Sequence, residues 1–455
     1  MPCWWPRICC AAANGLKCVF FRKAAPPEAS AVLSFHWHCQ AGGLSLNCTL
    51  TRLNGTKETA MDIKLCADKI SSLVEGYAPD MFAMLEDMVN MDSGSHDVDD
   101  VNALGDYLSG RLAKLGGKVL RYHPDRKAGD PLSGIFLPAG AAGDARRLLL
   151  VGHRDTVFPA GTAARRPFSR DAENCYGPGV LDQKGGNVAG FFAIKTLLAM
   201  SDLVPCPPVE IIYTTDEEIG SSGSGPYVIE RCKNARAAFF LEPARAGGEL
   251  VLARDGGSLF RIEVTGKGAH AGNSFREGKS AVNALAAITL ECSALSDDPA
   301  GYNVNFGLTG GGSGAIIVPE QAWAEVWCRF STMDQIEMLL GKIRKILESH
   351  NRDGIGVEMG EVITFLPFRE SADNDRLFAL TQEAGRAFGL ELEGVATGGA
   401  ADAGLTAANG VPTLDGLGPV GGNMHVDEEY LVSASLPERT KVLALAMLLA
   451  DQAFK

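Results

Sequence analysis

Residues Arg147–Asp155 read Arg-Leu-Leu-Leu-Val-Gly-His-Arg-Asp: an apolar run of strand length that stops abruptly in polar, ligand-type residues. Two further runs have the same character, Val209–Thr215 (VEIIYTT) and Ala237–Leu241 (AAFFL). Between the first two lies Asn187–Met200 (NVAGFFAIKTLLAM), whose length and periodicity predict a buried helix. Continuous apolar strands alternating with helices indicate parallel βαβ units covered on both faces. The expected fold class is therefore α/β, with a mostly parallel sheet carrying helices on both sides.

Working outward, residues 61–122 read as two helical stretches, around Ile63–Met91 and Val98–Leu115, the second opening on Asp residues that suit a helix N-terminus. The pattern changes near Gly256. Ser258–Thr265 and Trp323–Phe330 alternate apolar and polar residues, as antiparallel strands with one wet face do, and helices are expected at Lys279–Ser293 and Met333–Ser349. This predicts a separate α+β unit inserted into the first domain. Helices at Arg376–Phe388 and Leu436–Gln452 then restore the α/β character. The expected boundaries are a leader at 1–60, the larger domain at 61–255 and 364–455, and the insert at 256–363.

The leader is the odd piece of the 455 residues. It holds six of the 12 Cys and three of the five Trp, and six Lys/Arg against two Glu make it +4 within a chain of net charge −13. Arg7, Asn14, Lys17, Arg22 and Lys23 interrupt the apolar stretch that a signal peptide needs. No paired CxxC spacing marks a zinc module. The expectation is a disordered leader outside the fold, with Met61 a candidate natural start. The six later cysteines are scattered, as small buried apolar residues in a reducing cytoplasmic setting would be. The acidic body argues against nucleic acid or an anionic membrane as partner, and no apolar run is long enough to span a bilayer.

Parallel α/β sheets bind ligands at the carboxyl ends of their strands. The first apolar run leads into His153 and Asp155, which face the same way in extended chain, so Asp155 can take the second ring proton of a ligating His153. The second ends in Asp216-Glu217-Glu218, and the third in Glu242, an acid that is expensive to bury unless a cation neutralises it. The Gly-rich segment Gly177–Gly186 presents Asp182 just before a helix, and His425 stands in a Gly-rich loop downstream. Two His with three or four carboxylates suit first-row divalent ions. The acids outnumber what one Zn²⁺ with an open position needs, so a pair of ions accounts for them better.

These motifs in order, GHRDTV (Gly152–Val157), GPGVLDQKGG (Gly177–Gly186), TTDEEIGSSGS (Thr214–Ser224), LEPA (Leu241–Ala244), GKGAHAG (Gly266–Gly272) and MHVDEEY (Met424–Tyr430), resemble the carboxypeptidase G branch of the glutamate carboxypeptidase/aminoacylase family of dinuclear zinc metallopeptidases. The resemblance covers about residues 61–455. It implies that Asp182 bridges two metals, that His153 and Glu242 complete one site and Glu218 and His425 the other, that Asp155 orients His153, and that Glu217 is the general base. It also implies that the insert is a lid and dimerisation domain, so a homodimer is expected, and that His270 reaches an oxyanion. The metals would be Zn, with Mn or Co as alternatives.

Departures from the family pattern fall on substrate recognition. Ile316 stands where the lid often carries Asn, and Leu366, before Pro367, where an Arg clamps a substrate carboxylate; Arg369 is near but would point differently. Replacing that clamp removes a bidentate contact and leaves an apolar wall. The expected activity is metal-dependent hydrolysis of the amide of a small N-acyl or aryl-amino acid, with an apolar or aryl amide favoured over an acyl-glutamate. Two other readings stay open: hydrolysis of a different C–N bond, as in an aromatic amine or amidine, and a catalytically silent binding homologue.

Overall fold

A computed structural model describes residues 61–124, 128–138 and 140–454, and, in the leader, the backbone of three strands. Those strands, Lys17–Val19, Ala31–Gln40 and Gly43–Arg52, pair antiparallel in sequence order. The expectation of disorder covers all of residues 1–60, and apart from these strands it falls outside the described residues. The chain divides into two compact units, 1–66 and 67–455.

The larger unit is organised by a six-stranded sheet. In chain order its labelled strands are β1 (Lys118–Arg121), β2 (Leu132–Phe136), β3 (Arg147–His153), β4 (Val209–Thr214) and β5 (Ala235–Phe240). The spatial order is Thr413–Leu414, β5, β3, β4, β2, β1. The first four run parallel, and β2 and β1 add an antiparallel edge. Every residue of β3 and β4 is buried, which is why both read as near-continuous apolar runs. Glu210, the one acid inside β4, is held by Arg147 at 3.2 Å and Arg231 at 2.7 Å.

Helices cover both faces, as the α/β reading requires. In chain order they include α1 (Ile63–Val89), α2 (Val98–Lys114) and α3 (Gly186–Ala199), with Ser435–Ala453 packed against α3. Asp97 caps α2 through the amide of Asp100, and Asp99 and Asp100 in the first turn with Arg111 and Lys114 in the last complement the helix dipole. Arg154 is fully buried. It donates to the carbonyls of Val101, Asp130 and Tyr213, tying α2 and the edge of the sheet to the end of β3.

The insert forms its own antiparallel sheet from β6 (Gly256–Thr265), β7 (Asn303–Gly311), β8 (Gln321–Phe330), β9 (Gly356–Met359) and β10 (Ile363–Phe365). Burial alternates along β8, with Ala322, Ala324, Val326, Cys328 and Phe330 inward. Two helices, Ala281–Ser293 and Met333–His350, close this core; the second buries Ile336, Leu339, Ile343 and Leu347, at helical spacing. The alternating runs marked β6 and β8 correctly, whereas the Gly-rich β7 carried no readable pattern.

The six cysteines from Cys66 onward are buried and free. Among the described residues no helix is long and apolar enough to cross a membrane.

Candidate active site

The parallel register places the carboxyl ends of β3, β4 and β5 side by side, with Val151 beside Ile212 and Phe240. His153 closes β3, Glu217 and Glu218 form a short turn after β4, and Glu242 follows β5. Asp182 sits in a tight bend after Gly179, whose φ of +69° favours glycine. His425 enters from the loop of a hairpin, Gly421–Gly422 with Tyr430–Val432, that pairs with Asn174–Tyr176 just before the Asp182 bend. Loops far apart in sequence are thus brought together by strand pairing.

These side chains form two groups that share Asp182. His153, Asp182 and Glu242 make one, and Asp182, Glu218 and His425 the other. Asp182 Oδ1 lies 3.0 Å from His153 Nε2, and its Oδ2 lies 3.3 Å from His425 Nε2. Glu242 Oε1 is 3.8 Å from His153 Nε2, and Glu218 Oε2 is 3.2 Å from His425 Nε2. Glu218 Oε1 is buried without a hydrogen-bond partner.

The electrostatics of the cluster favour cations. Burial, with Glu242 nearby, pushes the Glu217 carboxyl well above its ordinary range, and burial beside Asp182 pushes Glu242 up to about 8. His425 is pushed up to about 10 by its bonds to Asp182 and Glu218. A buried excess of negative charge with an orphaned carboxylate oxygen is neutralised by cations. The donor set, imidazole nitrogens and carboxylate oxygens, suits divalent first-row ions. The residues present therefore fit a pair of metals.

The supporting residues add to the expected set. His153 Nδ1 lies 3.0 Å from the backbone carbonyl of Asp155 and 3.4 Å from its carboxylate. That carboxylate also accepts from Ser95 Oγ at 2.7 Å and from the amides of Glu217 and Glu218, both at 3.2 Å, so it organises the turn after β4 as well. Gln183 donates to Glu242 at 2.5 Å and accepts from the His153 amide at 3.1 Å. Asn187 donates to the His153 carbonyl at 2.6 Å, and both amide side chains crowd Gly152, where a Cβ would lie 2.2 Å from Asn187 Oδ1. Glu429 accepts from the amides of Leu181, Asp182 and Gly179 at 2.8, 2.9 and 3.0 Å, clamping the bend that carries Asp182.

Sequence reading missed Gln183 and Glu429 as site residues, although both lie inside the quoted motifs. Their only signal was a polar side chain one and four residues from a candidate ligand.

His270 belongs to neither group. It is exposed, and its Nδ1 accepts from the amides of Gly272 and Asn273 at 3.1 and 3.2 Å, which places the proton of the neutral ring on Nε2. It pairs across a short ladder with Ile317, beside exposed Ile316. Leu366 lines a cavity of about 320 Å³ with Ile229, Ile363, Phe365 and Leu405 among its walls, and Arg369 points away from that position, bonding Asp255 at 2.7 Å and the Ser331 carbonyl at 2.6 Å.

A family model described as Peptidase family M20/M25/M40 matches residues 149–449, a span that contains both ligand groups. The chain belongs to this family. Carboxypeptidase G2 of Pseudomonas sp. (strain RS-16) is 28% identical over 374 residues, spanning 80% of this chain and 88% of that protein. Among solved structures, the M20 family metallo-carboxypeptidase Sso-CP2 from Sulfolobus solfataricus superposes with a TM-score of 0.67 at 18% identity, covering 82% of this chain and 99% of that one. Aminopeptidase PepT from Bacillus cereus gives 0.65 at 22% identity, with 82% and 99% covered. Family membership makes this M20 chain a hydrolase of the metallopeptidase class, carboxypeptidase G-like, acting on peptide or acyl-amino-acid bonds. The expected family and the α/β fold with its inserted unit are both borne out.

Proposed function

We propose that the chain is a divalent-metal-dependent amidohydrolase that cleaves the amide of a small N-acyl or aryl-amino acid. The observation that carries this reading is the shared Asp182, whose two oxygens face different histidines within two ligand groups. His153 and Glu242 would hold one ion, Glu218 and His425 the other, and Asp182 both. When bound, the ions supply positive charge that lowers the pKa of water, polarises a carbonyl and favours ionised carboxylates around them. Zn suits the donors, and Mn or Co are accepted by the same set.

Glu217 takes the role of general base. It removes a proton from the attacking water, and as the carbon–nitrogen bond breaks it returns that proton to the leaving nitrogen, so that one amide and one water give one acid and one amine. Asp155 holds the Glu217 and Glu218 amides and so aims both side chains. His270 offers an Nε2–H donor for the developing oxyanion, carried by an insert that acts as lid and as dimer interface. A cytoplasmic enzyme acting on amino-acid-derived substrates agrees with the free buried cysteines of the enzyme unit.

The test is a substrate panel with the metal-loaded protein. Turnover of an acyl-aromatic amide above that of an acyl-glutamate is expected, because Leu366 supplies no clamp for a second carboxylate. A strong preference for the acyl-glutamate would overturn the apolar assignment. Ammonia released without a carboxylic acid product would move the reaction to another C–N bond.

A further inference from the structure

A buried ion pair that belongs to neither metal-ligand group stands behind Glu242. Arg254 ends the strand Leu250–Arg254, and its Nε meets Asp415 Oδ2 at 2.5 Å. Arg254 is 5% exposed and Asp415 is fully buried. The guanidinium also donates to the Gly399 carbonyl at 3.3 Å, and the Arg254 backbone exchanges hydrogen bonds with Phe368 at 2.8 and 3.1 Å. Here the chain leaves the sheet domain for the insert. Neighbouring residues of extended chain face opposite ways, so Asp255 turns to Arg329, Ser331 and Arg369 while Arg254 turns to Asp415.

Asp415 anchors the segment that lies along Glu242. Its Oδ1 accepts from the Gly416 amide at 2.6 Å, and its carbonyl accepts from the Val251 amide at 2.9 Å. The segment then runs beside β5 and its continuation. The Leu417 amide donates to the Phe240 carbonyl at 3.2 Å, the Gly418 amide to the Glu242 carbonyl at 2.9 Å, and the Ala244 amide to the Pro419 carbonyl at 3.1 Å. The approach is backbone to backbone, since a Cβ on Gly418 would lie 2.5 Å from the Leu241 carbonyl oxygen. Gln183 aims the Glu242 carboxylate, and residues 415–419 fix the main chain that carries it.

Charge adds to geometry. Asp415 faces Glu242 as a like charge, and Arg254 opposes both. Removing the guanidinium would leave Asp415 buried and uncompensated, at the root of the segment that holds Glu242. Such a disturbance reaches one ligand group, because Glu242 belongs with His153, while Glu218 and His425 stand on other loops.

We propose that Arg254 is a positioning residue for the ion held by His153, Asp182 and Glu242: through Asp415 it fixes the segment on which the Glu242 main chain rests, and it leaves the ion held by Asp182, Glu218 and His425 unaffected. This assignment rests on the two-metal reading above and gives its two ions different dependence on the chain that leads into the insert.

The experiment titrates the metal-free full chain with Zn²⁺ against a chelating dye, in backgrounds that isolate each ion. In Glu218→Gln the remaining ion is the one on His153 and Glu242, and adding Arg254→Met should weaken it about 10–100-fold, as for other residues that orient a ligand. In Glu242→Gln the remaining ion is the one on Glu218 and His425, and the same change should leave its affinity as it was. Arg254→Lys keeps the charge without the guanidinium fork, so in the Glu218→Gln background it should recover only part of the loss. Arg254→Met combined with Asp415→Asn removes both charges and decides the matter if the single variant does not fold. In the Glu218→Gln background this pair of changes should still bind Zn²⁺ weakly, because residues 415–419 have lost their anchor. Equal weakening in both backgrounds, or undiminished affinity when both charges are removed, would overturn the positioning role and leave the ion pair a bridge that stabilises the fold. A wild-type chain that binds no Zn²⁺ would overturn the metal reading itself.

Discussion

Two carboxylates of the site do opposite jobs because their surroundings differ. Glu217 sits where burial raises its proton affinity, in position to act as a base once positive charge is near. Glu217→Gln keeps the shape and removes the base, so turnover should fall by about 10²–10⁴ while metal content, read by elemental analysis, stays at the wild-type level. An active Gln variant would refute the assignment. Glu429 never meets the reacting groups; its three backbone acceptor contacts fix where Asp182 stands. Glu429→Gln turns an N–H toward amides that themselves donate, and metal affinity should weaken by about 10–100-fold, as for other residues that orient ligands. Competition with a chelating dye measures this, and unchanged affinity would show that the bend holds itself. His425 and Asn423, non-glycine residues at φ of 68° and 58°, place local strain in the same loop.

At the scale of elements, the junction between the sheet domain and the insert depends on Asp255, the residue before β6. It accepts from Arg329 at 2.8 Å, Arg369 at 2.7 Å and Ser331 at 2.9 Å. Burial works against its charge, but the bonds from Arg369, Ser331 and Arg329 outweigh it and hold the carboxyl below its ordinary value. A carboxyl lowered in the folded state contributes stability that is complete above its unfolded pKa of about 3.9 and fades as pH falls through the folded value. Asp255→Asn should therefore melt about 2–4 °C below wild type at neutral pH, and the gap should close in acid. A gap independent of pH would assign the loss to packing. This junction was not legible in sequence, since Arg329, Ser331 and Arg369 reach Asp255 only after β6 and β8 pair and the chain returns. Edge strands β1 and β2 escaped for a related reason: their register comes from β4, not from any periodicity of their own.

For the whole molecule, five ligands from separate loops and elements converge on one end of the sheet, and like charge there opposes folding unless cations are present. Chelation should therefore abolish turnover and lower the melting temperature together, and Zn²⁺, Mn²⁺ or Co²⁺ should restore both. At a free-ion concentration 100-fold above Kd each site adds about 2.7 kcal/mol. A chelated protein that melts unchanged would show that the acids are balanced from within.

The net charge of −13 takes its meaning from this arrangement, because part of the body's excess acid is gathered at a single place. Sequence alone determined the architecture and the ligand candidates. Buried parallel strands must be continuously apolar, and an acid or imidazole that ends such a run stands out against it. Tertiary structure decided the pairing of ligands through the two oxygens of Asp182, the clamp made by Glu429, and the turn of Arg369 toward Asp255. Each of these is a contact between segments that the chain separates and only the packed sheet brings within hydrogen-bond range, and no local periodicity encodes such a distance.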